Sequence, residues 1–106
     1  MGTNFNSATK DFVWNKGKKV DGKDAKKWRK DYSGALICYD DYGKVSDYGW
    51  EIDHYIPQRK GGSDYLSNLF PLHWMNNKVK GDDFPNYKTA VCFDGTKNIA
   101  KNQANS

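Results

Sequence analysis

The sequence predicts an α+β fold: a β-hairpin carrying a glycine-rich loop and followed by a helix, flanked by short N-terminal helix and strand elements and a C-terminal hairpin. Three observations carry this. Within Tyr48–Ile56 (YGWEIDHYI), apolar Trp50 and Ile52 alternate with Glu51 and Asp53, the period of two of a half-buried strand. After Pro57 comes a basic, glycine-rich loop, Gln58–Asp64 (QRKGGSD), and then a second short apolar run, Leu69–Leu72 (LFPL). His73–Lys80 (HWMNNKVK) has helical composition and meets Gly81, a residue type that commonly ends helices.

The flanks are read in chain order. The first ten residues are polar and expected to be mobile. Phe12-Val13-Trp14 is an apolar run suited to a strand. Asp24 is placed to cap a short helix over Ala25–Asp31, with Trp28 facing inward. Ser33-Gly34 ends that element, and Ala35–Tyr39 (ALICY) reads as a buried strand. Asp40-Asp41-Tyr42-Gly43 is a turn cluster. Pro71 puts the second central strand at a sheet edge, since proline cannot donate to the ladder. Asp94-Gly95, between Tyr87–Phe93 and Thr96–Ile99, is a two-residue hairpin signal.

With 106 residues, the chain is read as a single domain, residues 1–106, with its core unit over about 48–82. The four Trp and seven Tyr are read mostly as core, because a few rings bury much apolar area. No run approaches the roughly 18 apolar residues of a membrane span, and the N-terminus has no apolar stretch of the signal-peptide kind. Cys38 and Cys92 belong to no CxxC pair, which argues against a cysteine zinc site. They fit free thiols of a cytoplasmic protein better than a disulfide.

The net charge of +4 is unevenly placed. Residues 16–30 hold eight Lys/Arg against two Asp, a local +6, so the remainder is slightly acidic. Such a face suits a polyanion, or simply keeps the surface solvated.

Phosphodiester hydrolysis needs an activated water, neutralisation of the phosphate and help for the leaving oxygen. A Mg²⁺-class ion supplies much of the last two and accepts few protein oxygens. A neutral histidine is the natural base near neutral pH. Asp53-His54 offers a carboxylate beside a histidine, and Asn77 offers a second oxygen from the helix. Side chains of adjacent strand residues diverge, so the strand end must twist or bulge for both to reach one phosphate.

The run Trp50–Asp82, WEIDHYIPQRKGGSDYLSNLFPLHWMNNKVKGD, closely resembles the signature of the HNH endonucleases. Fifteen residues separate Asp53 from Asn68 and nine separate Asn68 from Asn77, similar to the HNH domain of RNA-guided DNA nucleases. The flanking VWNKGK, WRKD and DGTKNI are similar to small stand-alone bacterial HNH proteins. The resemblance implies a ββα-metal fold and a metal-dependent endonuclease acting on DNA. It implies His54 as general base, Asp53 and Asn77 as metal ligands, and Asn68 as the residue that holds the loop and helps to orient the base. Many HNH domains bind a structural zinc through CxxC pairs; this chain has none, so no structural zinc is expected. Its core should rest on Trp14, Trp28, Trp50 and Trp74. Asn rather than His at the last position favours Mg²⁺ or Mn²⁺.

His73 lies one turn before Asn77 and is a further candidate for the site; the preferred assignment makes it a polar residue at the helix start. Arg59 and Lys60 in the loop, Lys80 one turn past Asn77, and Arg29 in the basic cluster are the candidate phosphate contacts. Without a separate recognition module, double-stranded DNA would be cut with weak sequence preference. One site nicks, so cutting both strands calls for a homodimer or a partner subunit. The competing function is a catalytically silent nucleic-acid-binding domain on the same scaffold; the weakest makes the four residues hairpin-stabilising hydrogen bonders.

Overall fold

The computed structural model describes residues 5–101. The elements are α1 (Ser7–Trp14), β1 (Trp28–Lys30), β2 (Leu36–Cys38), β3 (Trp50–His54), β4 (Leu69–His73), α2 (Trp74–Lys80), β5 (Val91–Phe93) and β6 (Asn98–Ala100). The strands form three two-stranded antiparallel sheets, β1-β2, β3-β4 and β5-β6. The α+β class follows directly, with β3-β4-α2 at the centre of the chain.

α1 replaces the strand expected at Phe12-Val13-Trp14. Three apolar residues suit either element, and the upstream cap decides: the Asn6 side chain accepts from the Thr9 N–H at 2.8 Å. The helix delivers Val13 and Trp14 into a core shared with Ile37, Trp50 and Leu69. Of the ten residues expected to be mobile, the first four lie outside the described residues, and Ser7–Lys10 belong to α1. The helix expected over Ala25–Asp31 is a single turn followed by β1. Asp24 caps only that turn, its side chain accepting from the Lys26 N–H, because buried β2 takes Trp28–Lys30 as its hydrogen-bonding partner. At the C-terminus, Val91 pairs with Ala100 and Phe93 with Asn98. The hairpin loop therefore has four residues: the Asp94 carboxylate takes the Thr96 and Lys97 N–H groups and draws the loop wider than a two-residue turn.

Aromatic packing holds the chain together. Trp50 is fully buried and Trp14 nearly so, their ring centroids 5.1 Å apart. Trp28 and Trp74 are half-buried; Trp28 packs edge-on against Tyr48 at 5.2 Å. A second cluster joins Tyr32, Tyr55, Phe70, Phe84 and Tyr87. Each such pair contributes about 0.5–1.5 kcal/mol beyond the area it buries.

A buried polar hub orders the three sheets around α2. Asp31, 3% exposed, accepts on Oδ1 from the Ser33 and Ala35 N–H groups and on Oδ2 from the His73 N–H and the Asn76 side chain. Asn76 in turn donates to the Val91 carbonyl and accepts from the Ala90 and Val91 N–H groups. Burial pushes the Asp31 carboxyl up, and these hydrogen bonds oppose the shift.

His73 caps α2. Its Nδ1 accepts from the Met75 N–H at 3.0 Å, so Nε2 carries the proton and donates to the Asp47 carbonyl at 2.8 Å. Both nitrogens are used in this buried setting, and His73 does not line the cleft described below. Burial holds its pKa below the ordinary 6.5. As pH falls through that ordinary value, the unfolded chain takes up a proton that the folded chain refuses, so stability falls with acidification. In urea titrations across this range, His73→Asn, which retains a capping oxygen, should lose stability less steeply than the wild type. Parallel pH slopes would contradict this role for His73.

Candidate active site

β3 and β4 pair with Asp53 opposite Phe70 and His54 opposite Leu69. Alternation puts Glu51 and Asp53 on the face covered by α2, and Trp50, Ile52 and His54 on the other. Pro57 ends the strand, and the chain turns through a short 3₁₀ segment, Gln58–Lys60. Gly61 has φ of 91°, a left-handed conformation suited to glycine. At Gly62, a Cβ would lie 1.6 Å from the Ile56 carbonyl oxygen, so only glycine lets the loop fold back on the strand end.

Asn68 closes the loop. It accepts from the Ile56 N–H at 2.8 Å and donates to the Ile56 and Ser63 carbonyls at 3.0 and 2.9 Å. It is 8% exposed and all these bonds go to backbone, so its work is to hold the loop rather than to meet a reacting group.

His54 stands at the edge of this loop, its side chain 15% exposed. Its Nε2 lies 2.6 Å from Asp64 Oδ1, and Gln58 donates to the same carboxylate oxygen at 3.2 Å. Asp53 is 5% exposed. It accepts from the Tyr32 hydroxyl at 2.7 Å on Oδ2, and its Oδ1 lies 3.3 Å from the Lys80 ammonium. Burial, then the charge of Asp53, pushes the Tyr32 hydroxyl pKa far upward, so Tyr32 remains a donor. Asn77 donates to Glu51 Oε1 at 2.6 Å. A cleft of about 480 Å³ is lined by Glu51, Asp53, His54, Arg59, Asn77 and Asp82. Asp53 and His54 both line this cleft, although β3 pairs regularly with β4 through His54.

Two of the expected phosphate contacts are not at the surface. Lys80 is 1% exposed; it is paired with Asp53 and donates to the His54 carbonyl at 3.2 Å. Helical periodicity does bring it to the face of Asn77, but α2 packs that face onto β3. Arg29 is 8% exposed and donates to the carbonyls of Ala25, Asn15 and Gly17, tying the end of α1 to β1. Arg59 and Lys60 are exposed, and Arg59 lies 3.5 Å from Asp82 across the cleft rim.

Glu51, Asp64, Lys80 and Tyr32 were not read from the sequence in these positions. The period-two face already contained a signal for Glu51, two residues before Asp53. Asp64 had none, because the loop's path alone brings it to His54.

The donor set favours a hard cation. Asp53, Glu51 and Asn77 line one cleft and carry carboxylate and amide oxygens, a set that suits Mg²⁺ or Mn²⁺ with several retained waters. Among the described residues no group of three or more His, Cys, Asp or Glu side chains is arranged to hold a metal, so an ion here would rest on fewer protein charges plus the amide. Each Asp53 oxygen keeps a lone pair beyond its present partner.

Residues 37–83 match the family model described as HNH endonuclease. The match covers somewhat less than half of the chain, and over this segment the protein is similar to an HNH endonuclease domain. The segment runs from β2 to just beyond α2 and includes Asp53, His54, Asp64, Asn68, Asn77 and Lys80. Tyr32 and Asp31 lie N-terminal to it, so the matched segment is completed by elements that precede it. No curated protein and no solved structure matches the chain. HNH domains are typically nucleases that use a divalent metal and act on DNA, so the match points to nuclease activity in general. No helix among the described residues is long and apolar enough to cross a membrane.

Proposed function

We propose that this HNH domain hydrolyses DNA phosphodiester bonds with His54 as general base and a divalent cation, Mg²⁺ or Mn²⁺, held by Asp53 and Asn77 with Glu51 beside them. The supporting observation is the single cleft onto which His54, Asp53 and Asn77 all open, with Arg59 at its rim. The bound ion would neutralise the phosphate and the leaving oxygen. His54 takes a proton from water as its oxygen bonds to phosphorus, and the bond from phosphorus to the 3′-oxygen breaks. Asn68 and Gly62 keep the loop, and so the histidine, in place. Lys80 balances the charge of Asp53 and fixes the end of β3 through the His54 carbonyl. Arg59 and Lys60 bind flanking phosphates of double-stranded DNA, with little sequence preference because phosphate contacts carry none.

The same proposal treats the chain as one domain acting in the cytoplasm, where Cys38 and Cys92, both free thiols, would remain reduced. Cutting both strands would need a second copy or a partner.

Supercoiled plasmid incubated with the protein and Mg²⁺ or Mn²⁺ should be nicked. Chelation should abolish nicking, and restoring the metal should recover it. DNA binding that is salt-sensitive, indifferent to chelator and never accompanied by nicking would make the protein a silent nucleic-acid-binding domain instead.

A further inference from the structure

We infer that Asp64 is the positioning residue of the proposed base: it fixes the tautomer and ring orientation of His54, so that Nδ1 is the nitrogen that meets water. The inference rests on the assignment of His54 as general base, and it starts from the 2.6 Å contact between His54 Nε2 and Asp64 Oδ1. An ionised carboxylate only accepts hydrogen bonds, so Nε2 carries the proton and Nδ1 keeps its lone pair. Among the described residues the hydrogen bonding of the ring involves Nε2 alone, and the residue lines the cleft. Nδ1 is thus the basic atom available to a water there.

Asp64 is itself held. Gln58 donates to the same oxygen at 3.2 Å, and Asn68 grips the adjoining Ser63 carbonyl at 2.9 Å. The loop therefore presents a fixed carboxylate to a ring that could otherwise rotate or protonate on the wrong nitrogen. As His54 takes the proton from water it becomes an imidazolium, and Asp64 stabilises that charge without accepting a proton. A wrong tautomer or a rotated ring removes the acceptor from the water without weakening substrate binding, so the loss should fall on kcat rather than KM. Asn68, by contrast, touches only backbone, which separates holding the loop from orienting the base.

The test combines two readouts on the full chain. Long-range ¹H–¹⁵N correlation of the metal-free wild type at mildly alkaline pH should show His54 protonated on Nε2, and Asp64→Ala should shift it to a tautomer mixture. Asp64→Asn, which retains an accepting oxygen, should restore the Nε2–H form. In metal-supported nicking, Asp64→Ala should lower kcat by about 10–100-fold, the size typical of a residue that orients another, with KM little changed and partial rescue in Asp64→Asn. Asp64 is exposed, so Asp64→Ala should melt with the wild type. An unchanged His54 tautomer in Asp64→Ala, or wild-type kcat in that variant, overturns the inference. A wild type that never nicks, even with Mn²⁺, refutes the nuclease reading, and the tautomer experiment still decides what Asp64 does to His54.

Discussion

His54→Ala should cut plasmid DNA about 10²–10⁴-fold more slowly than the wild type, the contribution expected of a general base, while folding normally. The side chain is not part of the buried core cluster. Its removal forfeits the contact with Asp64 and the packing of a largely buried side chain that lies outside the main core, the nearest ring being Phe5 at 6.3 Å between centroids. The Asp53 and Asn77 oxygens proposed to hold the metal are untouched. DNA affinity should therefore be preserved, because Arg59 and Lys60 remain and phosphate contacts dominate binding. Single-turnover nicking measured beside DNA binding separates the two effects. Equal cutting by wild type and variant would remove His54 from the mechanism. A parallel loss of DNA binding would mean that His54 contributes to holding the substrate.

Asp31→Asn should cost about 2–5 kcal/mol of folding stability, because two or more buried N–H donors are left facing another donor, at about 1–3 kcal/mol each. The carboxylate accepts four such groups, two on each oxygen. An amide in its place keeps one accepting oxygen and turns an NH₂ towards the partners of the other. Since small domains are stable by only about 5–15 kcal/mol, the variant should lose a large share of its stability. Urea denaturation measures this directly, and a change under about 0.5 kcal/mol, as at an ordinary surface site, would show that the hub relaxes around the substitution. The carboxylate's raised pKa has the opposite sign to the His73 effect: acidification through the folded pKa of Asp31 favours the folded state. The slope assigned to His73 is therefore best read as the difference between wild type and His73→Asn.

The two effects sit at different distances from the chemistry. His54 is proposed to act on the reacting atoms, whereas Asp31 acts through α2: its Oδ2 takes the His73 N–H at the helix start and the Asn76 side chain one position before Asn77. Loosening that contact would let Asn77 drift from its Glu51 partner on β3. Residual nicking by Asp31→Asn at low temperature, where the variant remains folded, should fall further than its folded fraction predicts.

Much of the centre was legible in the sequence because its signals are local. Alternation at Trp50–Asp53 marked β3, Gly81 marked the end of α2, and the Asp53-His54 pair carried its chemistry on adjacent residues. The flanks were less legible. Phe12-Val13-Trp14 and Ala25–Asp31 are too short for periodicity to separate helix from strand, and the choice fell to the Asn6 cap and to the pairing needs of β2.

The sequence by itself determined the HNH segment, the hairpin-loop-helix order, the glycine-dependent loop and the candidate base, because each depends on residue types at fixed local spacing. Only the tertiary structure decided which polar side chains leave solvent. Lys80 and Arg29 look like ordinary surface cations; packing of α2 on β3 and of α1 beside β1 buries both and spends their charge on Asp53 and on carbonyl groups. Asn76 carries no signal of its own in the sequence and is part of the hub that joins three sheets. Asp64 became the partner of His54 because a loop folded over Gly62 and closed by Asn68 returns it to the strand end. Whether a charge is solvated, paired or poised depends on what surrounds it in space, and spacing along the chain does not encode that surrounding.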